Sequence, residues 1–207
     1  ILKLERLNKM KYIINRIGKE TALFACQKMI PEIVYNMAAL EGSTLSMFDT
    51  SQICEGMSVG NKTLREVFKA LDIKRGWDYM IDLIIEDQFK IDKNLFITIN
   101  SIVAEKENPY LGDFRKKNVL INNSSYVPPN PIALDNLFTD MMGKFYKELD
   151  PIKKGYNLFV EAAKNQFFGD GNKRTAQIIV SGFFIQEGFP ILSIPPSLKK
   201  DFMEGIL

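Results

Sequence analysis

The sequence predicts an all-α fold with one β-hairpin. Apolar residues recur at helical spacing through most of the 207 residues. Helix-starting patterns stand ahead of those runs, and only the stretch 118–128 changes to extended residues around a polar turn.

In chain order, Leu4, Leu7, Met10, Ile13 and Ile14 share one helical face. A second helix starts near Pro31, where a first turn tolerates proline, carries Ile33, Val34, Met37, Ala38 and Leu40, and stops at Gly42. Ser46 opens a Ser-x-x-Asp capping pattern ahead of a short helix ending near Gly56. Asn61 is expected to open a long helix through Leu64, Val67, Phe68 and Leu71 to Ile85, with Gly76 as a candidate break. Asp92 caps the next, which holds Leu95, Ile99 and Ile102. Val119-Leu120-Ile121 and Tyr126-Val127 flank Asn122-Asn123-Ser124-Ser125, a hairpin closed by Pro128-Pro129. Helices return over 132–149, 151–165 and 173–186; Gly188 and Pro190 end the last, and Pro195-Pro196-Ser197 opens a short terminal one. No repeat or Gly/Ser linker divides the chain, so residues 1–60 and 61–207 are read as N-terminal helices and core of one compact unit.

Composition excludes several classes of function. A net charge of +2 without a dense Lys/Arg block gives no pull toward nucleic acid or membrane. No apolar run approaches a membrane span, and the first residues lack the apolar core of a signal peptide. Cys26 and Cys54 are too few for a disulfide framework or zinc site and read as core residues of a reduced, cytoplasmic protein. The chain has no histidine, so any imidazole-dependent base, triad or metal site is excluded. Trp77, Tyr79, Met141, Met142 and Phe145 read as packing, and Lys153, Lys154 and Lys164 as solvated faces.

One segment carries chemistry: Gln166-Phe167-Phe168-Gly169-Asp170-Gly171-Asn172-Lys173-Arg174, followed by an apolar helix from Ala176 to Phe184. Backbone N–H groups at a helix start carry partial positive charge and receive anions such as phosphates. Asp170 can hold a divalent cation on those phosphates, while Lys173 and Arg174 neutralise the remaining charge. On its own, Gly-Asp-Gly-Asn is also compatible with a plain turn and helix cap.

The segment resembles the signature loop of the Fic/Doc family, H-x-F-x-(D/E)-(G/A)-N-(G/K)-R. Every fixed position matches except the first, where the family's catalytic His is Gln166. The resemblance implies a Fic-type helical bundle whose β-hairpin flap aligns a target-protein segment by strand addition along 118–128, with Gly112 and Arg115 leading into the first strand. Read without the family, that hairpin equally covers an edge of the core. The resemblance further implies a filamentation-protein-like activity: AMP transfer from ATP to a protein hydroxyl, with Mg²⁺ and ATP as cofactors. Asp170 would hold the Mg²⁺; Gly169, Gly171, Asn172 and Lys173 would bind nucleotide, Gly171 and Asn172 forming the anion pocket; Arg174 would reach the terminal phosphates. Phe168 would anchor the loop in the core.

Leu40-Glu41-Gly42 is similar to the family's N-terminal inhibitory motif, (S/T)-x-x-x-E-(G/N), by which Glu41 would compete with the γ-phosphate. Met37 stands where that motif has Ser/Thr, and Gln177 stands where the family has the second Arg of R-x-x-R; Arg174 is the expected substitute partner. Read alone, Glu41 is equally a solvent-facing carboxylate before a capping glycine. Gln166 can position a hydroxyl but cannot take its proton, and losing a general base costs ~10²–10⁴-fold in rate. The sequence thus supports two readings: a weakened Fic-type nucleotidyltransferase, or a non-catalytic relative binding nucleotide or protein. Expected partners are a nucleotide and a target-protein segment, with a homodimer admitted, and neither nucleic acid nor membrane.

Overall fold

A computed structural model describes residues 14–108, 110–121 and 125–206. Among these residues the chain forms nine α-helices and two single 3₁₀ turns, with no β-strand. The helices are α1 Lys19–Lys28, α2 Ile30–Leu40, α3 Met47–Cys54, α4 Leu64–Ile85, α5 Lys93–Val103, α6 Leu134–Lys147, α7 Pro151–Asn165, α8 Asn172–Gln186 and α9 Lys199–Ile206. The predicted helix at the very start falls mostly on residues outside the described set, and Ile14 lies in an irregular stretch. The sequence reading passed over α1, where only Ala22 and Cys26 turn fully inward, too sparse a stripe to register.

Helix α8 is the axis of the bundle. From Arg174 to Ile185 every residue is buried, as expected of a helix enclosed on all sides. α7 lies beside it, and α1, α4 and α5 also contact it. Two glycines let these elements approach closely. A methyl group at Gly155 of α7 would collide with the Phe184 ring, and one at Gly182 would collide with Phe89. Gly76 does not break α4: it admits Val103 and Ile178 against the helix.

Capping fits the sequence in most places. Ser46 and Asp49 form a reciprocal capping box on α3. On α4 the box is Thr63 with Glu66, whereas Asn61, expected to open this helix, sits two residues earlier at φ 55°. Asp92 and Asp150 cap α5 and α7 through their carboxylates.

The hairpin expectation is corrected. Residues 118–121 and 125–128 carry no strand, and 122–124 fall outside the described residues. Leu120 and Val127 are 86% and 75% exposed, whereas Val119, Ile121 and Tyr126 are half-buried. Pro128 and Pro129 supply no N–H to a ladder. The Arg115 guanidinium instead bridges the bases of the two arms, donating to the carbonyls of Lys117 (2.9 Å) and Pro129 (2.6 Å). Among the described residues of 118–128, no strand-pairing flap is formed.

Candidate active site

The candidate site is built on the turn between α7 and α8. α7 ends at Gln166, whose left-handed backbone (φ 48°, ψ 59°) reverses the chain. Phe167 and Phe168 then plunge inward, 1% and 2% exposed. They meet Phe114 at ring distances of 4.9 and 5.4 Å, and Phe138 packs against Phe167 at 5.5 Å. This aromatic floor anchors the loop by burial and ring contacts.

Polar side chains fix the loop from above. Asn172, the first residue of α8, accepts the Phe168 N–H at 2.9 Å and donates to the Phe168 carbonyl at 2.9 Å. It also donates to Gln166 Oε1 at 3.1 Å, while Gln166 Nε2 donates to the Ala163 carbonyl at 2.5 Å. Both ends of the Gln166 amide are thereby engaged. Asn100 of α5 donates to the Asp170 carbonyl (2.9 Å) and Thr175 Oγ1 (3.1 Å), and Asn108 donates to Asn100 Oδ1 (2.7 Å). Gly171 caps α8 at φ 76°; a Cβ there would stand 2.8 Å from the Ala104 Cβ. Only glycine meets both demands without strain.

The three charged residues of the loop face different surroundings. Arg174 is 3% exposed and donates to the Val103 carbonyl (2.5 Å), Glu107 (2.6 Å) and Asp170 Oδ1 (3.0 Å). Burial works against its charge, but Glu41, Glu107 and Asp170 outweigh that and raise its pKa above the ordinary guanidinium value. Its Nε is buried without a hydrogen-bond partner. Burial pushes the Glu107 carboxyl up, but Arg174 and Lys69 prevail and hold its pKa below the ordinary value; Lys69 lies 2.7 Å away. Asp170 is 48% exposed, and its Oδ1 also accepts the Gly171 N–H at 2.5 Å. Lys173 reaches Glu41 at 3.5 Å.

These residues border a cavity of about 440 Å³. Gln166, Gly169, Asp170, Gly171, Asn172 and Lys173 form its polar side, Glu41 and Leu40 enter from the end of α2, and Leu120 and Ile121 come from the segment after Arg115. Lys199, Met203 and Ile206 of α9 complete it. The structure thus gathers the predicted residues except Arg174, which lies behind the loop. Glu41 meets Lys173 where Arg174 was the expected partner. Gln177 is 3% exposed and donates to the Leu192 carbonyl, and Met37 accepts from the Trp77 indole N–H.

Sequence reasoning missed four supports: Asn100, Asn108, Glu107, and Arg115 in the role it plays. Arg115 is 2% exposed; its backbone N–H donates to the Phe167 carbonyl (2.8 Å) and its Nε to the Gln166 carbonyl (2.6 Å). A lone Arg or Asn within a mixed stretch carries no signal of such a role until the chain brings it to the loop.

Residues 90–183 match the model of the Fic/DOC family. Over 177 residues the chain is 28% identical to the protein adenylyltransferase Fic of Nematostella vectensis, covering 83% of this chain and 41% of that one. The chain spans about two fifths of the length of such curated relatives. Among solved structures, a Fic domain containing signaling protein from Bacteroides thetaiotaomicron superposes with a TM-score of 0.78 at 18% identity, covering 99% of this chain and 80% of that one. IbpAFic2 covalently tethered to Cdc42 superposes at 0.51 with 16% identity, covering 93% of this chain and 66% of that one. Residues 90–183 are thus similar to the Fic/DOC family, and the described residues share the all-helical fold of those solved Fic proteins. No helix among the described residues is long and apolar enough to cross a membrane.

Proposed function

We propose that this domain binds a Mg²⁺-nucleotide in the cavity beside the loop and transfers AMP from ATP to a protein hydroxyl, slowly, because Gln166 occupies the position of the proton acceptor. One observation carries the reading: the start of α8 and the backbone of Gly169–Lys173 border the same cavity as Gln166 and Asp170. The free N–H groups of a helix start favour phosphate there, and Lys173 adds a full charge. Asn172 keeps the backbone of the turn in shape, which counts because preorganised dipoles stabilise developing charge without rearranging.

Asp170 is a single carboxylate, half exposed at the cavity edge, and the described residues contain no cluster of three metal-ligating side chains. That donor set fits Mg²⁺ held jointly by one carboxylate and substrate phosphates. When bound, the ion would neutralise phosphate charge at the reacting centre. Gln166 would orient the incoming hydroxyl through its amide, without accepting its proton. Leu120 and Ile121 line the cavity, so a target segment would approach along 118–121 by side-chain contact in place of strand pairing. The tethered Cdc42 complex of IbpAFic2 supports a protein as acceptor. Glu41, at the end of α2, would act as the brake by occupying the phosphate side of the cavity.

The engaged Gln166 amide favours one second reading, a non-catalytic relative that binds nucleotide or protein. Incorporation of α-labelled ATP into protein separates the two, with Asp170→Ala as control. Label that appears in the unaltered chain and vanishes in the control supports transfer. Nucleotide binding without label supports the binding module, and absence of both removes the nucleotide reading.

A further inference from the structure

Four charged side chains of alternating sign form a chain behind the loop. Lys69 of α4 lies 2.7 Å from Glu107, Glu107 lies 2.6 Å from Arg174, and Arg174 reaches Asp170 Oδ1 at 3.0 Å. The first three are enclosed, at 16%, 13% and 3% side-chain exposure, against 48% for Asp170. Glu107 is set in place by the turn after α5, where its N–H donates to the Ala104 carbonyl at 2.9 Å. Asp170 Oδ1 accepts twice, from Arg174 and from the Gly171 N–H, and no donor among the described residues reaches Oδ2. Lys69 and Glu107 do not border the cavity of Gln166 and Lys173. They line a second one, of about 520 Å³, and Asp170 is the residue that the two cavities share.

Resting on the Mg²⁺-nucleotide reading above, we infer that Glu107 is a positioning residue for Asp170. By holding Arg174 from behind, it limits the guanidinium to one oxygen of Asp170 and leaves the other for the cation. A guanidinium fork is built to take both oxygens of one carboxylate. Here Nη1 goes to the Val103 carbonyl, and Nη2 is divided between Glu107 and Asp170. Without the charge of Glu107, Asp170 is the carboxylate left to Arg174, which draws it back from the cavity. Without Lys69, Glu107 turns wholly to Arg174, competes more strongly for it and frees Asp170. Salt screens such partly buried pairs much less than exposed ones. Neither Lys69 nor Glu107 lines the nucleotide's cavity, so both act on the cation through Arg174 and Asp170.

Calorimetric titration of ATP with Mg²⁺ and with excess EDTA gives the factor by which Mg²⁺ tightens binding, a readout of Asp170 that needs no turnover. Glu107→Gln keeps the shape and an acceptor but drops the charge. It should cut the factor by about tenfold, the scale on which outer partners of a metal ligand act, and leave ATP binding in EDTA unchanged. Lys69→Met should raise the factor, whereas simple structural damage would lower it in both variants. Glu105→Gln, on the same turn but paired with Arg75, should leave it unchanged, which a general loss of negative charge would not. In an Arg174→Met background Glu107→Gln should add nothing, because the coupling runs through the guanidinium. If thermal melts show that this background does not fold, Glu105→Gln carries the distinction alone. A factor that Glu107→Gln leaves unchanged, or lowers equally without Arg174, overturns the inference while the nucleotide reading stands. No ATP binding in either condition overturns both.

Discussion

The turn 166–172 and the segment 115–130 border the same cavity but are held in different ways. The turn is gripped from three sides: aromatic rings below, Asn172 within, and Asn100 and Arg115 from neighbouring elements. In the described part of the segment one guanidinium joins two carbonyls at its bases and Lys164 lies 5.4 Å from the Tyr126 ring, while Leu120 and Val127 stand in solvent. Side-chain order costs entropy that only partners can offset. The loop side of the cavity is thus preorganised, and the side formed by Leu120 and Ile121 is held by fewer partners.

The largest effect should come from completing the preorganised half. Gln166→His places an imidazole on the turn, and self-modification with labelled ATP should rise by ~10²-fold or more if only proton removal is lacking. Glu41→Gly in the same chain should raise it further, because a correctly seated donor is needed before a better base helps. Silence from the double variant, with nucleotide binding intact, would move the domain to the binding reading.

Arg115→Met breaks the comparison from the other end, since this residue serves both regions. It strips partners from the Gln166, Lys117 and Pro129 carbonyls, and a loss of about 3 kcal/mol in thermal or denaturant unfolding is expected. Limited proteolysis should then cut 116–129 faster than α7 or α8. Gly171→Ala should cost roughly 2 kcal/mol, combining a left-handed backbone with a methyl pressed on Ala104. Leu120→Ser with Val127→Ser should shift stability by only about 0.5 kcal/mol, as surface changes do. If a target protein uses this segment, the same pair should weaken modification of that target while sparing self-labelling.

The smallest effect concerns the turn behind Glu41. Glu66 accepts the Thr44 N–H and hydroxyl at 3.0 and 2.7 Å as well as capping α4 with Thr63, and these bonds push its pKa down to about 2 from 4.5. A depressed carboxyl contributes stability above its unfolded value and loses it as pH falls through the folded one. Stability should therefore decline between about pH 4.5 and 2, and Glu66→Gln should show a shallower decline over that window in thermal melts.

Much of this was legible in the sequence because helices announce themselves locally. Pro151 and the pattern beyond it located α7 at Pro151–Asn165 without reference to anything distant. The loop residues 166–174 were legible for the same reason, being consecutive. What escaped notice depends on distance. Asn100 reaches the turn from 70 residues away along the chain, with Asn108 donating to it from behind, and nothing near them marks that destination. The hairpin failed for a related reason. Alternation and turn residues describe what a segment can do, whereas Pro128, Pro129 and the Arg115 bridge determine what it does here.

The glycine seat under Phe184 fixes how α7 and α8 can move. A ring resting in the gap left by a missing side chain works like a tooth in a notch, so α7 and α8 cannot slide or rotate past one another without lifting it out. The turn between them is therefore a rigid bracket and not a hinge. Entry and exit of anything the size of the cavity must come from the lining parts that lack such notches, the end of α2, helix α9 and residues 116–121. In hydrogen exchange those three should open well before α7 and α8, with the cavity floor unchanged.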